Sequence, residues 1–157
     1  MSPKEPPKTW DPESEFSKIA PQDAGHVILT AALLEVWLER LLLNSKPMSN
    51  AKAKALFDDR GALRSFASKI KVAYAFDLID ATVYRDLEAI RGVRNAFAHP
   101  RAYLTFEHDE VRAKMVKFKD WDDSDRPKRF FNVRTLMCVD AIKEKIDKLV
   151  WEHASPD

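Results

Sequence analysis

Residues 90–100, IRGVRNAFAHP, concentrate side chains that can perform acid–base and phosphate chemistry. They include Arg91, Arg94, Asn95 and His99, in a chain of 157 residues that has only four histidines. An imidazole titrates near neutral pH and can act as a general base or acid, and a guanidinium holds a phosphate through a fixed fork of donors. Asn95 could orient either group. These residue types suit metal-independent cleavage of RNA, in which a base activates the 2′-hydroxyl and positive charge stabilises the pentavalent phosphate.

Helical spacing limits which of these side chains can act together. Arg94 and His99 are five positions apart, so about 140° separates them around a helix of 3.6 residues per turn. Arg91, Asn95 and His99 are separated by steps of four, which keeps them on one edge. A site that also uses Arg94 requires an unwound last turn, which Pro100 favours, or a second subunit across a two-fold axis. The structural alternative is that these side chains stabilise the helix end and cover the edge of the core.

Further polar residues are candidates for binding. Glu35 lies in an apolar run and a buried acid usually needs a cation, so we expect it to pair with Arg91 or Arg94 unless it lies on an exposed helix edge. A basic cluster around a turn at Gly61 could face a nucleic acid or a phosphate, or could be the solvated side of helices. Its members are Lys52, Lys54, Arg60, Arg64, Lys69 and Lys71. Residues 126–131, RPKRFF, resemble single-strand binders in composition, but their two phenylalanines are expected to anchor the last helix in the core.

Length and composition predict one packed domain. The chain has about the length of an ordinary domain, and its 45% hydrophobic residues exceed what a disordered chain carries. Its 26 basic and 25 acidic residues nearly cancel, so no global field draws the chain to nucleic acid or to an anionic membrane. Cys138 is the single cysteine, which excludes an internal disulfide and a cysteine-based zinc site and fits a reducing compartment.

The start of the chain differs from the rest. Residues 1–15 hold four of the nine prolines and are predicted to form a flexible leader, followed by a single domain over residues 16–157. The leader has no apolar run and is not a signal peptide, and the longest apolar run, residues 27–43, contains three charges. We therefore predict a cytoplasmic protein without a membrane span. The histidines outside the motif, His26, His108 and His153, are not at metal-ligand spacing, so we predict neither a metal nor a cofactor.

Apolar residues recur at helical spacing along the chain, and no convincing alternating strand pattern is present. The predicted helices run from Asp23 to Asn44, from Ser49 to Phe57, from Leu63 to Ile79, from Asp80 to His99, from Asp109 to Phe118 and from Arg129 to Trp151. On the fourth helix, the predicted apolar face is formed by Tyr84, Leu87, Ile90, Arg94 and Phe97. The fold class is therefore all-α, a single-domain bundle of five or six helices.

Three separate motifs resemble those of the mannitol operon repressor (MltR-like) family. They are GALRSFASKIKVAYAFDLID from Gly61, DLEAIRGVRNAFAH ending at His99, and LTFEHDEV ending at Val111, within a likeness that covers about residues 24–150. The resemblance implies an all-helical fold and a role in bacterial transcriptional regulation. The same run also matches the HEPN superfamily signature of an arginine, four residues and a histidine. Many members of that superfamily are metal-independent endoribonucleases that work as dimers.

These observations predict an MltR-like regulatory protein, dimeric, that acts by binding protein, RNA or DNA. Its predicted binding residues are Arg91, Glu35, Lys69 and Arg64. The alternative is a HEPN-type endoribonuclease with Arg94, Asn95 and His99 as its catalytic residues. A third possibility is a protein-binding bundle in which the motif only joins helices. No helix presents an evident set of base-reaching side chains, so the sequence does not identify a DNA-reading element.

Overall fold

The protein, described here from a computed structural model, is all-α. The structure describes residues 22–98, 104–123 and 125–155; the predicted leader, His99 and Pro100 lie outside them. Within these ranges it contains six helices and no strand: α1 Gln22–Ser45, α2 Asn50–Phe57, α3 Phe66–Ala75, α4 Ala81–Ala98, α5 Asp109–Met115 and α6 Pro127–Ala154. The predicted single-domain helical bundle is confirmed. In this part of the chain, no helix combines the length and the apolar character needed to cross a membrane.

Helix α4 is central to the bundle, because it packs against α1, α3, α5 and α6. Its buried residues include Leu87, Ile90 and Phe97, as the periodicity predicts. Arg94 was predicted on the same face and is exposed instead. Val93 is buried in its place. Near the end of α4, the side of the helix that faces the core is the side that carries Val93 rather than Arg94.

Helices α1 and α6 run parallel, side by side. Asp23 binds Lys128 at 2.7 Å, and His26 Nε2 lies 2.6 Å from Asn132 Oδ1. Further along both helices, the Lys143 ammonium lies 4.9 Å from the centre of the Trp37 ring. Because the contacts advance in the same direction on both helices, a residue of α1 lies level with the residue about 106 positions later in the chain.

Aromatic rings fill the core beneath α6. The Phe131 ring centre lies 5.3 Å from that of Phe106 and 6.2 Å from that of Phe118. Phe130 packs against Phe118 edge to face, with ring centres 5.8 Å apart, and is partly buried. Both phenylalanines of the RPKRFF segment therefore anchor α6, as predicted.

Local hydrogen bonds start three of the helices. Ser49 and Asp80, predicted as the first residues of two helices, each cap one of them: the Lys52 N–H donates to Ser49 Oγ at 3.5 Å, and the Val83 N–H donates to Asp80 Oδ1 at 2.8 Å. A third cap, at Ser65, accepts from the Ser68 N–H at 3.1 Å and starts α3 three residues later than predicted.

The turn before α3 requires glycine. The Gly61 N–H donates to the Asp58 carbonyl at 2.7 Å, and a Cβ at Gly61 would lie 2.1 Å from the Leu56 carbonyl oxygen. No side chain fits so close to a backbone oxygen, so the predicted tight turn is confirmed.

Helix α3 ends at Ala75 rather than near Ile79. Asp77 adopts a left-handed conformation with a φ of 53°, and the Leu78 N–H donates to the Ala73 carbonyl at 2.9 Å. This is a Schellman ending in which aspartate occupies the place that glycine usually takes, which explains why the sequence did not reveal it. Phe76, which follows the last residue of α3, is 68% exposed.

Candidate functional site

The structure places Arg91 and Asn95 at one hollow between α4 and α5, with a volume of about 370 Å³. Both residues lie on the edge of α4 that the four-residue steps predict. Arg94 is exposed beside them, and its Nη1 donates to Asn95 Oδ1 at 3.1 Å. The remaining predicted member, His99, lies outside the described residues.

Arg91 is held by a carboxylate of its own helix. Its Nη2 donates to Glu88 Oε2 at 2.8 Å and its Nε to Glu88 Oε1 at 3.3 Å. The hydrogen bond to Glu88 raises the pKa of the Arg91 guanidinium above its usual value. The pairing also fixes the plane of the guanidinium and leaves both hydrogens of Nη1 and the second hydrogen of Nη2 to donate to a ligand.

Helix α5 and the turn after it complete the hollow with residues that the sequence interpretation missed. Lys114 and Lys117 line it, together with Glu88 and Glu110. The stem of Lys114 lies over Gly92, since a Cβ on that glycine would be 3.8 Å from the Lys114 Cβ and Cδ. No local pattern could have revealed these lysines, because their role depends on how α5 packs against α4.

The predicted pairing of Glu35 with Arg91 or Arg94 is wrong. Glu35 Oε1 lies 2.9 Å from Lys69 Nζ, and Glu39 Oε2 lies 3.3 Å from the same ammonium. The reason is geometric: Glu35 is on the side of α1 that meets α3, whereas Arg91 faces α5.

Lys69, predicted as part of a basic binding surface, has a side chain that is only 4% exposed. It joins α1 to α3, and its buried ammonium has two carboxylates as partners. Arg64 is exposed and donates to the Asp59 carbonyl at 2.7 Å. Apart from Lys69, the basic cluster is therefore a solvated surface. Its other members are also exposed: Lys52, Lys54, Arg60 and Lys71.

A second buried ion pair, also missed, joins α4 to α6. Asp86 Oδ2 accepts from Arg134 Nε at 2.8 Å and also from Nη2, while Asp86 Oδ1 accepts from the Lys119 N–H at 2.9 Å. Both side chains are buried, at 2% and 8% exposure. The sequence does contain a sign that Asp86 is buried. It is three residues after Val83 and four before Ile90, a spacing that places it on the same side of the helix as these two core residues.

Cys138 lies beside this pair in the core. Burial, with a further contribution from the charge of Asp86, raises the pKa of its thiol to about 12. The thiol is therefore protonated at neutral pH and unsuited to nucleophilic chemistry. Within the described ranges, histidine, cysteine and acidic side chains form no group of three that could hold a metal ion.

The outer face of α1 and α6 is apolar. We use this name for Leu29, Leu33, Val36, Val133 and Leu136, which are 47–73% exposed. A sequence signal existed here as well, because Leu29, Leu33 and Val36 recur at helical spacing outside the buried stripe of α1. In this structure, only its inner side is covered by the rest of the bundle.

Comparisons with known proteins bear on the fold. No protein-family model and no curated protein matches the chain. The chain is similar to a chain in the X-ray structure of the MtlR–HPr complex from Escherichia coli, with a TM-score of 0.51 and 20% sequence identity. The alignment covers 80% of this chain and 88% of that chain. The likeness supports the MtlR-like helical fold that the sequence resemblance implied; at this level of identity it bears on the fold alone.

Proposed function

We propose that this chain is a regulatory protein of the MtlR type that acts by binding another protein. The observation that carries the proposal is the apolar outer face of α1 and α6. Exposed apolar side chains are ordinary when scattered singly, whereas a contiguous group on a globular protein marks an interaction surface.

The parallel register of α1 and α6 makes the five residues one surface. Leu136 is level with residue 30 of α1 and therefore lies between Leu29 and Leu33 along the axis. Val133 lies about one turn earlier on α6, and Val36 about one turn after Leu33 on α1. The large side chains consequently form a two-helix patch.

Charge is almost absent from the exposed side of α1. Seven residues between positions 23 and 45 are exposed, and only Arg40 among them is charged. Glu35 and Glu39 add no charge to this side, because both carboxylates point toward Lys69. Burying the patch against a partner would remove apolar area from water, which is the main driving force of protein association.

HPr is the partner we propose, because the similar structure is that of an MtlR–HPr complex. One edge of the outer face carries positive charge: Arg40 and Lys143 lie 5.0 and 4.9 Å from the centre of the Trp37 ring. We therefore expect the contacting surface to be apolar with an acidic edge. The regulatory role and a cytoplasmic location belong to this proposal.

Titration of the full chain with purified E. coli HPr by isothermal calorimetry tests the proposal. The wild type is expected to bind, and Leu29→Glu and Leu136→Glu are each expected to weaken binding by at least about tenfold, because a charge is buried without a partner. Phe76→Glu is the matched control, since Phe76 is 68% exposed and lies outside the outer face. Absence of wild-type binding, or equal weakening by the control, would reject this partner and this surface.

A second copy of the chain is the competing occupant of the outer face. Light scattering after size-exclusion chromatography distinguishes the two, because the monomer mass is 18.0 kDa. A mass twice that value in the wild type, reduced to the monomer by Leu29→Glu, would assign the face to the homodimer predicted above and overturn HPr as its occupant.

A second candidate function is metal-independent RNA cleavage. The observation in its favour is that Arg91 and Asn95 line one hollow on the last turns of α4, just before His99 in the chain. If the protein is a nuclease, it cleaves total RNA with excess chelator present, and His99→Ala slows cleavage by about 10²–10⁴-fold.

His108→Ala is the control for that experiment. Its imidazole accepts from the Thr105 N–H at 3.0 Å on an exposed loop outside the hollow, so cleavage is expected to be unchanged. A wild type without chelator-resistant activity, or a fully active His99→Ala variant, would remove this candidate.

A further inference from the structure

We propose that the hollow between α4 and α5 binds a small phosphate-bearing molecule. Its described lining includes four side chains that can donate hydrogen bonds: Arg91, Asn95, Lys114 and Lys117. The inference is independent of the outer face, because the two surfaces share no residue. It also does not require His99 or RNA cleavage.

The hydrogen-bond donors that line the hollow are available to a ligand. Lys114 and Lys117 form no ion pair with any of the residues described by the structure. The Asn95 carbonyl oxygen already accepts from Arg94, which leaves its amide nitrogen to donate to a ligand. With Arg91 Nη1 added, donors from both helices face one space, as the oxygens of a phosphate require.

The charge balance of the hollow favours an anion. Among the residues that the structure describes, two carboxylates line it, and one of them, Glu88, is already paired with Arg91 at 2.8 Å. Within the described lining, the carboxylate that remains to face the two lysines is Glu110. Arg85 adds positive charge at the same end of α5, where its Nε donates to the Lys117 carbonyl at 2.8 Å. A phosphate would gain more from these cations than it would lose to Glu110.

The size of the hollow favours a small molecule over a nucleic acid strand. Its volume of about 370 Å³ falls in the lower part of the range of small-molecule sites, roughly 300–1,000 Å³. Gly92 forms part of the lining, and the Lys114 stem lies across it. Glu110 in the lining would repel the continuous row of phosphates of a strand more than a single phosphate group.

Nuclear magnetic resonance of the ¹⁵N-labelled full chain tests the inference, with inorganic phosphate and phenyl phosphate as probes at constant ionic strength. Saturable shifts are expected at the Gly92 amide and the Asn95 side-chain amide. The double variant Lys114→Gln/Lys117→Gln is expected to weaken phosphate binding by at least about tenfold, since it removes two charge-assisted contacts. Lys71→Gln, which replaces an exposed lysine on α3, is expected to leave binding unchanged.

Three outcomes would overturn the proposal. Shifts that grow linearly without saturation would indicate general screening, and saturable binding that survives in the double variant would place the phosphate elsewhere. A single-stranded RNA of twelve uridines that binds more tightly than phenyl phosphate, with the same dependence on Lys114 and Lys117, would assign the hollow to a nucleic acid backbone.

Discussion

Replacing Asp86 with alanine is expected to lower the free energy of unfolding by about 3–5 kcal/mol, because the variant leaves the Arg134 guanidinium buried without its main partner. Asp86 accepts two hydrogen bonds from Arg134 and a third from the Lys119 N–H. Asp120 cannot substitute, since its Oδ2 lies 3.7 Å from Arg134 Nη1 and its side chain is 69% exposed. Urea denaturation followed by circular dichroism measures the change.

Two further variants distinguish the loss of the buried ion pair from the removal of a charge in general. Asp147→Ala removes an exposed aspartate of α6 and is expected to change stability by less than about 0.5 kcal/mol. The double variant Asp86→Leu/Arg134→Met is expected to be more stable than Asp86→Ala, since it leaves no unpaired charge in the core. A single variant as stable as the wild type would show that water reaches Arg134, contrary to the burial described here.

Truncation of Phe131 to alanine is expected to cost about 3–5 kcal/mol, the usual loss for a large aromatic side chain in a core. Phe131 is fully buried, and its ring contacts those of Phe106 and Phe118 as well as the His26 imidazole, whose centre is 6.4 Å away. Because Phe106 and Phe118 are themselves buried and closely packed, they collapse only partly into the space that the ring leaves.

The same substitution at an exposed position provides the control for Phe131. Phe76→Ala is expected to change the free energy of unfolding by less than about 0.5 kcal/mol, because the ring is 68% exposed. Thermal and urea denaturation of the three proteins give the comparison. Equal losses in the two variants would contradict the position of Phe131 at the centre of the aromatic core.

If both proposals hold, the two surfaces serve separable functions. The outer face of α1 and α6 is apolar and suited to a protein, whereas the hollow between α4 and α5 is polar and suited to an anion. Leu29→Glu and Lys114→Gln therefore address different activities, and neither substitution removes a buried side chain. Comparing partner binding with and without phosphate would also show whether the hollow regulates the outer face.

Local interactions explain what could be predicted about the helices. Leu34, Leu38 and Leu41 are fully buried, because a 3.6-residue period fixes which side of a helix is apolar wherever the helix lies. The caps at Ser49 and Asp80 were equally predictable, since each hydrogen bond spans three residues. The C-terminal end of α3 was not, because an aspartate adopts there a backbone conformation that glycine usually provides.

The candidate site, like the helices, could be predicted only in part. Steps of four residues place Arg91 and Asn95 on one edge of α4, and both do line one hollow. Nothing in the spacing indicates that α5 and the turn after it bring Lys114 and Lys117 to that edge, because a periodic pattern contains no information about which neighbour a helix meets.

The sequence by itself determined the fold class, most of the helices and the apolar side of each, since these depend on hydrogen bonds and periods within a few residues. Only the tertiary structure decided the partner of each charge: Glu35 meets Lys69 across 34 positions, and Asp86 meets Arg134 across 48. It also decided which apolar residues of α1 stay uncovered. The physical reason is that periodicity orients a side chain about its own helix axis, whereas pairing depends on how separate helices pack.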